Sequence, residues 1–223
     1  MQKTFWKRFF SYFGELHVES APSTYNPHLY VSLRRGRYQL CTAHAVYSYE
    51  DRYDNFVRAF KKAKLHDRKI DNVLILGFGL GSIPIILEKQ GHDYYFTAVE
   101  IDEEVLYLAN KYSLSDMTSN IELICADANA FVMQCSDRYD MICMDVFLDD
   151  TVPSVFEEAL FLQKIKKLLT PNGLFLYNRL AANSEDVKKT KTFFEEGFLP
   201  VFPDGQFLDV GGNWMLFNQK LKA

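Results

Sequence analysis

Residues 73–82 read VLILGFGLGS: four apolar residues run straight into Gly77-Phe78-Gly79-Leu80-Gly81. An apolar run with a proline near its start follows, from Ser82 through Pro84 to Leu87. The pattern predicts a buried strand, a tight glycine turn and a helix. Glycine lets a chain turn sharply and offer N–H groups to a ligand with no Cβ in the way. The stretch therefore reads as the first strand and loop of an α/β sheet, with a small ligand held close to the backbone.

Downstream, strands and helices alternate. YFTAVE (95–100) is a predicted strand, followed by a helix with Val105, Ala109 and Tyr112 on one face. IELIC (121–125) and MICMD (141–145) are further strands, the latter after a polar turn at Ser136-Asp137-Arg138. Pro153 is predicted to open a long helix with Val155, Ala159, Leu162, Ile165 and Leu169 inward, closed by Thr170-Pro171-Asn172-Gly173. LFLYN (174–178) is a strand, and Asn183 caps a helix reaching about Glu196. FLPVF (198–202) and NWMLF (213–217) read as a closing strand pair around Gly211-Gly212. Such alternation implies a mostly parallel sheet with helices on both faces.

Upstream, LYVSL (29–33), a turn at Arg34-Arg35-Gly36-Arg37 and YQLCTA (38–43) predict a β-hairpin. Ser48 and Asp51 have the spacing of a capping box, and Tyr53, Phe56, Val57 and Phe60 then mark one helix face. Three parts are expected: an aromatic, basic N-terminal helix (1–23), a hairpin-and-helix appendage (24–70) and the α/β domain (71–223).

The 223 residues suffice for an ample core, and 48% hydrophobic with 24% charged content suits a soluble globular chain. A net charge of −4 argues against general nucleic-acid binding, which depends on neutralising phosphates. Cys41, Cys125, Cys135 and Cys143 lack metal-ligand spacing, and none of the five histidines has it either. Reduced cysteines, no metal and a cytoplasmic location are therefore expected. No apolar run approaches the ~20 residues of a membrane span, so no integral membrane segment is expected. The stretch MQKTFWKRFFSYFGEL lacks the aliphatic core of a signal peptide. Its aromatic stripe is expected to dock on its own domain or on a second subunit, giving a homodimer.

In a parallel α/β sheet, ligands bind beyond the carboxyl ends of the strands. The residues there are Gly77, Gly79 and Gly81, then Glu100 and Asp102, then Asp127, then Asp145. Glu100 lies 23 residues after Gly77, where an acid accepts both ribose hydroxyl protons. Asp127 suits an exocyclic amine such as that of adenine. Asp145 is placed to hold or deprotonate an amine over the sheet. The dinucleotide fingerprint G-x-G-x-x-G fails at Ser82, and a nicotinamide dehydrogenase ranks last. An adenosyl sulfonium fits the loop as well or better, having no diphosphate to hold. Two helix-end roles compete: Asp102-Glu103-Glu104 favours a helix N-terminus by its charge, and Asp149 and Asp150 suit a cap for the helix after Pro153.

In order and spacing, VLILGFGLGS, AVEID, CADANAF and YDMICMD resemble the motifs of the spermidine synthase family and its relatives. So do TYNPHLYVSLRRGRYQL and SYEDRYDN upstream, and the resemblance covers roughly residues 24–180. It implies the Rossmann-like class I methyltransferase fold, with a mostly parallel seven-stranded sheet behind an N-terminal β-hairpin. It also implies a donor, S-adenosylmethionine or decarboxylated S-adenosylmethionine. Gly77, Phe78, Gly79 and Gly81 match the nucleoside loop, Glu100 and Ile101 the ribose site, and Asp127 and Ala128 the adenine site. Asp145 matches the catalytic aspartate and Tyr53 a substrate-pocket tyrosine.

The acceptor side departs from that family. The loop aspartate that holds an amino group is Leu80 here, and the second active-site acid is Leu148, followed by Asp149 and Asp150. The glutamine after the hairpin tyrosine becomes Asn26, and an acid-amide pair becomes Asp54-Asn55. A diamine brings two charges into a partly dry cleft, and one lost charge-assisted contact forfeits roughly 1.5–3 kcal/mol. The expectation is thus a methyltransferase acting on a small acceptor, amines included. The alternative is an aminopropyltransferase using the decarboxylated donor, with Asp149 or Asp150 as substitute acids. A non-catalytic nucleoside-binding scaffold is the reading from another class.

Overall fold

The computed structural model describes residues 2–149 and 151–221. A helix, α1 (Gln2–Phe10), precedes a four-stranded antiparallel sheet of β1 (Leu16–Ser20), β2 (Tyr30–Arg34), β3 (Arg37–Cys41) and β4 (Val46–Ser48). The predicted hairpin forms its centre, with Arg34 opposite Arg37 across the turn. Two flanking strands were not legible, because β1 lies in the segment read as helical and β4 is three residues long. Ser11, fully buried, hangs α1 on the hairpin turn: its carbonyl accepts from Arg35 N–H at 2.8 Å and its hydroxyl from Gly36 N–H at 2.8 Å. The aromatic face stays open, with Trp6, Phe9, Phe10 and Phe13 all exposed.

A single 3-10 turn (Glu50–Arg52) leads into α2 (Asp54–Ala63), whose Phe56, Ala59 and Phe60 are buried. Ser48 and Asp51 form no capping box. Ser48 Oγ lies 2.7 Å from Ser82 Oγ, and Asp51 pairs with Arg37 and Lys89. Their side chains are drawn to charged and polar partners on other elements instead of to a helix end.

The second sheet begins at β5 (Asn72–Leu76) and adds α3 (Ser82–Lys89), β6 (Tyr95–Glu100), α4 (Glu103–Tyr112), β7 (Asn120–Cys125), α5 (Ala128–Gln134) and β8 (Tyr139–Met144). It continues with α6 (Ala159–Leu168), β9 (Leu169–Ala181), α7 (Ser184–Thr192), β10 (Gln206–Asp209) and β11 (Gly212–Phe217). The seven strands run β10-β11-β9-β8-β5-β6-β7, with β5 to β9 mutually parallel and β11 antiparallel to its neighbours. Alternate residues of β5 serve opposite faces: Val73 and Ile75 pack with α2, α3 and α4, while Leu74 and Leu76 pack with α5 and α6. Both faces are covered, which is why the parallel strands read as continuous apolar runs.

Three local expectations are corrected. The helix after Pro153 is only a 3-10 turn (Ser154–Glu157) until Glu158 breaks to extended backbone, and α6 starts at Ala159. Leu169 begins β9, and Thr170–Gly173 forms a bulge in that strand, since Tyr139 faces Leu169 while Met141 faces Leu174. FLPVF is helical, continuing α7 through 193–201, because Phe193, Phe194, Phe198 and Val201 bury on a helical spacing. Its strand role falls to Gln206–Asp209, which pairs with β11. Asn183 caps α7 as expected, accepting from Glu185 and Asp186 N–H.

Candidate functional site

The order of strands reverses between β5 and β8, and a cavity of about 630 Å³ opens above that point. Gly77, Gly79, Glu100, Ile101, Asp127, Ala128 and Asp145 line it on the side of the parallel sheet. The antiparallel sheet and the turn after it close the opposite wall.

Gly77 is fixed by geometry. At φ +86° it occupies the left-handed region, and a Cβ there would lie 2.3 Å from the Asp145 carbonyl oxygen. The loop and the β8 end are thus pressed together, with Asp145 N–H donating to the Leu76 carbonyl at 2.8 Å. Glu100 holds the loop from the other side. Its Oε2 accepts from Phe78 N–H at 3.0 Å and Gly79 N–H at 3.3 Å, and Oε1 from Asp102 N–H at 3.2 Å. Burial pushes the Glu100 carboxyl up, and these three bonds pull it back. With Oε2 accepting twice and Oε1 once, the acid keeps an acceptor position on Oε1 for a further donor.

Phe78 contributes its backbone only, as its ring packs in the core. Gly81 does not line the cavity; it sits at the N-cap of α3 under Met117. Ser82 ties the loop to the antiparallel sheet, accepting from Tyr49 N–H at 2.9 Å as well as meeting Ser48. Asp102 is structural: Oδ1 caps α4 through Glu104 N–H, and Oδ2 accepts from Ser23 at 2.6 Å. Asp127 stands exposed at the cavity rim and caps α5 with Oδ1, through Ala130 N–H at 2.7 Å.

Asp145, just past the end of β8, lines the cavity beside the glycine loop. Asn178 Nδ2 donates to its Oδ1 at 2.8 Å, and Tyr53 OH donates to the same oxygen at 3.2 Å. Burial pushes its carboxyl from 3.8 up to about 7, the two hydrogen bonds offset part of this, and the Glu100 charge adds to it. A carboxylate near neutrality at a strand end beside a cavity suits proton transfer.

At the mouth, Asp149 does not cap the following helix. Its Oδ1 accepts from Thr42 Oγ1 at 2.6 Å, and its Oδ2 lies 2.6 Å from His44 Nδ1. The Thr42 bond holds its carboxyl below the usual range, with His44 assisting. Tyr47 OH reaches Asn26 Oδ1 at 2.8 Å, and Asp149 N–H donates to Tyr47 OH. Asp150 lies outside the described residues. Leu80 is fully buried in the core, so an acid there would sit away from the cavity.

Sequence reasoning missed Gln39, His44, Tyr47 and Asn178. Asn178 had a signal, since it ends the predicted strand LFLYN at the same level as Asp145. The other three come from the antiparallel sheet, whose place over the cleft is a tertiary fact.

Residues 67–209 match the family described as methyltransferase domain. The chain belongs to that family. This methyltransferase-domain chain is also 27% identical to a polyamine aminopropyltransferase of Vibrio vulnificus over 134 residues, 59% of this chain and 45% of that protein. It is 31% identical to an eEF1A lysine and N-terminal methyltransferase of Bos taurus over 117 residues, 48% of this chain and 17% of that protein. It thus spans less than half the length of either relative. Among solved structures, human methyltransferase-like protein 13 in complex with SAH superposes with a TM-score of 0.62 at 25% identity, covering 74% of this chain and 82% of that one. The resemblance to the spermidine synthase family and the class I fold both stand.

Proposed function

We propose that the chain is an S-adenosylmethionine-dependent methyltransferase acting on a small amine. One observation carries the reading: Asp145, its carboxyl near pKa 7, faces the cavity beside the glycine loop, held by Tyr53 and Asn178. The SAH complex of a similar chain supports the donor, and the polyamine, lysine and N-terminal acceptors for which the two relatives are named support an amine acceptor.

Gly77 and Gly79 hold the donor's arm, with Phe78 contributing backbone, Gly81 shaping the turn and Ile101 and Ala128 lining the nucleoside. Glu100 binds the ribose, and the second oxygen of Asp127 takes the adenine amine. When bound, S-adenosylmethionine supplies a methyl group made electrophilic by its sulfonium. The protein's part is alignment and proton handling. An incoming ammonium must lose a proton before its lone pair is free, and ionised Asp145 accepts it. Tyr53 and Asn178 keep the carboxylate aimed at that proton. With Glu100 given to the ribose and Asp149 tied to Thr42 and His44 at the rim, Asp145 is the deep acid left for the acceptor, which favours a single amine over a diamine.

The aminopropyl alternative has the Vibrio vulnificus relative in its favour. To separate the two, the protein is incubated with each donor and a panel of monoamines, diamines and lysine-containing peptides, followed by mass spectrometry. A one-methyl gain with S-adenosylmethionine is expected; an aminopropyl gain with the decarboxylated donor would replace the reading. Binding with no acceptor ever modified would favour the scaffold.

The proposal includes a cytoplasmic homodimer. The exposed ring cluster of α1 offers an apolar surface for a second copy, and all four cysteines are free.

A further inference from the structure

The cavity is divided by charge. Glu100, Asp127, Asp145 and Asp149 follow the parallel strands, whereas the arginines on its wall, Arg34 and Arg52, come from the N-terminal elements. Arg37 and Lys89 nearby are both paired with Asp51. Arg52 is exposed and enters no ion pair or side-chain hydrogen bond among the described residues.

The turn that carries it is fixed against the glycine loop. Tyr49, three residues earlier, donates its N–H to Ser82 at the start of α3, and a Cβ on Gly79 would lie 3.0 Å from Ser48 Cβ. The turn carrying Arg52 therefore rests on the loop assigned to the donor's arm. A guanidinium presents a planar fork matched to a carboxylate. Of the two adenosyl sulfonium donors, only S-adenosylmethionine has a carboxylate on that arm.

We infer that Arg52 selects the donor by binding the α-carboxylate of S-adenosylmethionine, with Arg34 as a second cation on the same wall. This rests on the adenosyl-donor reading above. It makes the charge on the N-terminal wall, and not the loop alone, the reason for methyl over aminopropyl transfer.

The test is calorimetry without acceptor, so that only a donor carboxylate is present. Wild type, Arg52→Gln and Arg34→Gln are each titrated with S-adenosylmethionine, its decarboxylated form and methylthioadenosine, which lacks the whole amino-acid arm. Arg52→Gln is expected to bind S-adenosylmethionine about tenfold more weakly and the other two within about twofold of wild type. Arg34→Gln is expected to show the same selectivity to a smaller extent. Unchanged S-adenosylmethionine affinity in Arg52→Gln, or equal weakening for all three ligands, overturns the assignment while leaving the donor reading in place. A wild type that binds none of the three removes the donor reading itself, and this assignment with it.

Discussion

The two sides of the cavity are built by different means. On the side proposed for the donor, Gly77, Glu100 and Asp127 each lie at the end of a strand of one parallel sheet, and backbone bonds hold the first two. On the side proposed for the acceptor, Asp145 is held by Tyr53 at the N-cap of α2 and Asn178 from β9, and Asp149 by Thr42 and His44 from the turn between β3 and β4. The first set is held by bonds to strands and loop backbone packed in the core. The acceptor side depends on side chains brought from far along the chain, so it is where specificity can change without loss of fold.

The sharpest break between the sides is Asp145→Asn. Turnover is expected to fall at least about 100-fold, the range for losing a positioned base, with donor affinity by calorimetry unchanged. Loss of donor binding instead would show that the two sides are not separable.

Gly77→Ala attacks the seam between them. The added methyl meets the Asp145 carbonyl at 2.3 Å with φ at +86°, so a stability loss of about 1–3 kcal/mol is expected in thermal unfolding. Donor binding should fall with it. A variant as stable as wild type would contradict the close approach.

Titration reads the acceptor side directly. Asp145 acts as a base only when ionised, so the rate should rise with pH through about 7 and be lost on acidification. The stability effect has the opposite sign. A carboxyl raised from 3.8 to about 7 favours the fold fully below about 3.8, and that contribution is lost as pH rises through about 7. Asn178→Ala removes a bond that holds the value down, so the midpoint of the rate profile should move upward. A midpoint that stays put or moves down would remove Asn178 from this role.

The smallest effect belongs to the rim. His44 is largely exposed, so His44→Ala should cost about 1 kcal/mol or less in stability. A KM for acceptor raised a few-fold, with kcat unchanged, is the expected signature of a contact that shapes only the mouth.

The same contrast explains what was legible in the sequence. Strand ends carry their own signal, so Gly77, Glu100, Asp127 and Asp145 could be read in order, and so could the hairpin at 30–41. Ser48 and Asp51 were read as a capping box, and Asp149 as either a cap or a substitute acid, because local spacing fits caps, yet each is taken by a partner at least 14 residues away. FLPVF misled because an aromatic, β-prone run also suits a helix buried against Phe175. Leu80 was visible as a departure, but only the fold shows that its side chain belongs to the core.

The most direct test of the central claim is calorimetry of wild-type protein with S-adenosylmethionine and, separately, NAD. Saturable one-site binding of S-adenosylmethionine with none of NAD is the predicted result. A preference for NAD, or no binding of S-adenosylmethionine at millimolar concentration, would contradict it.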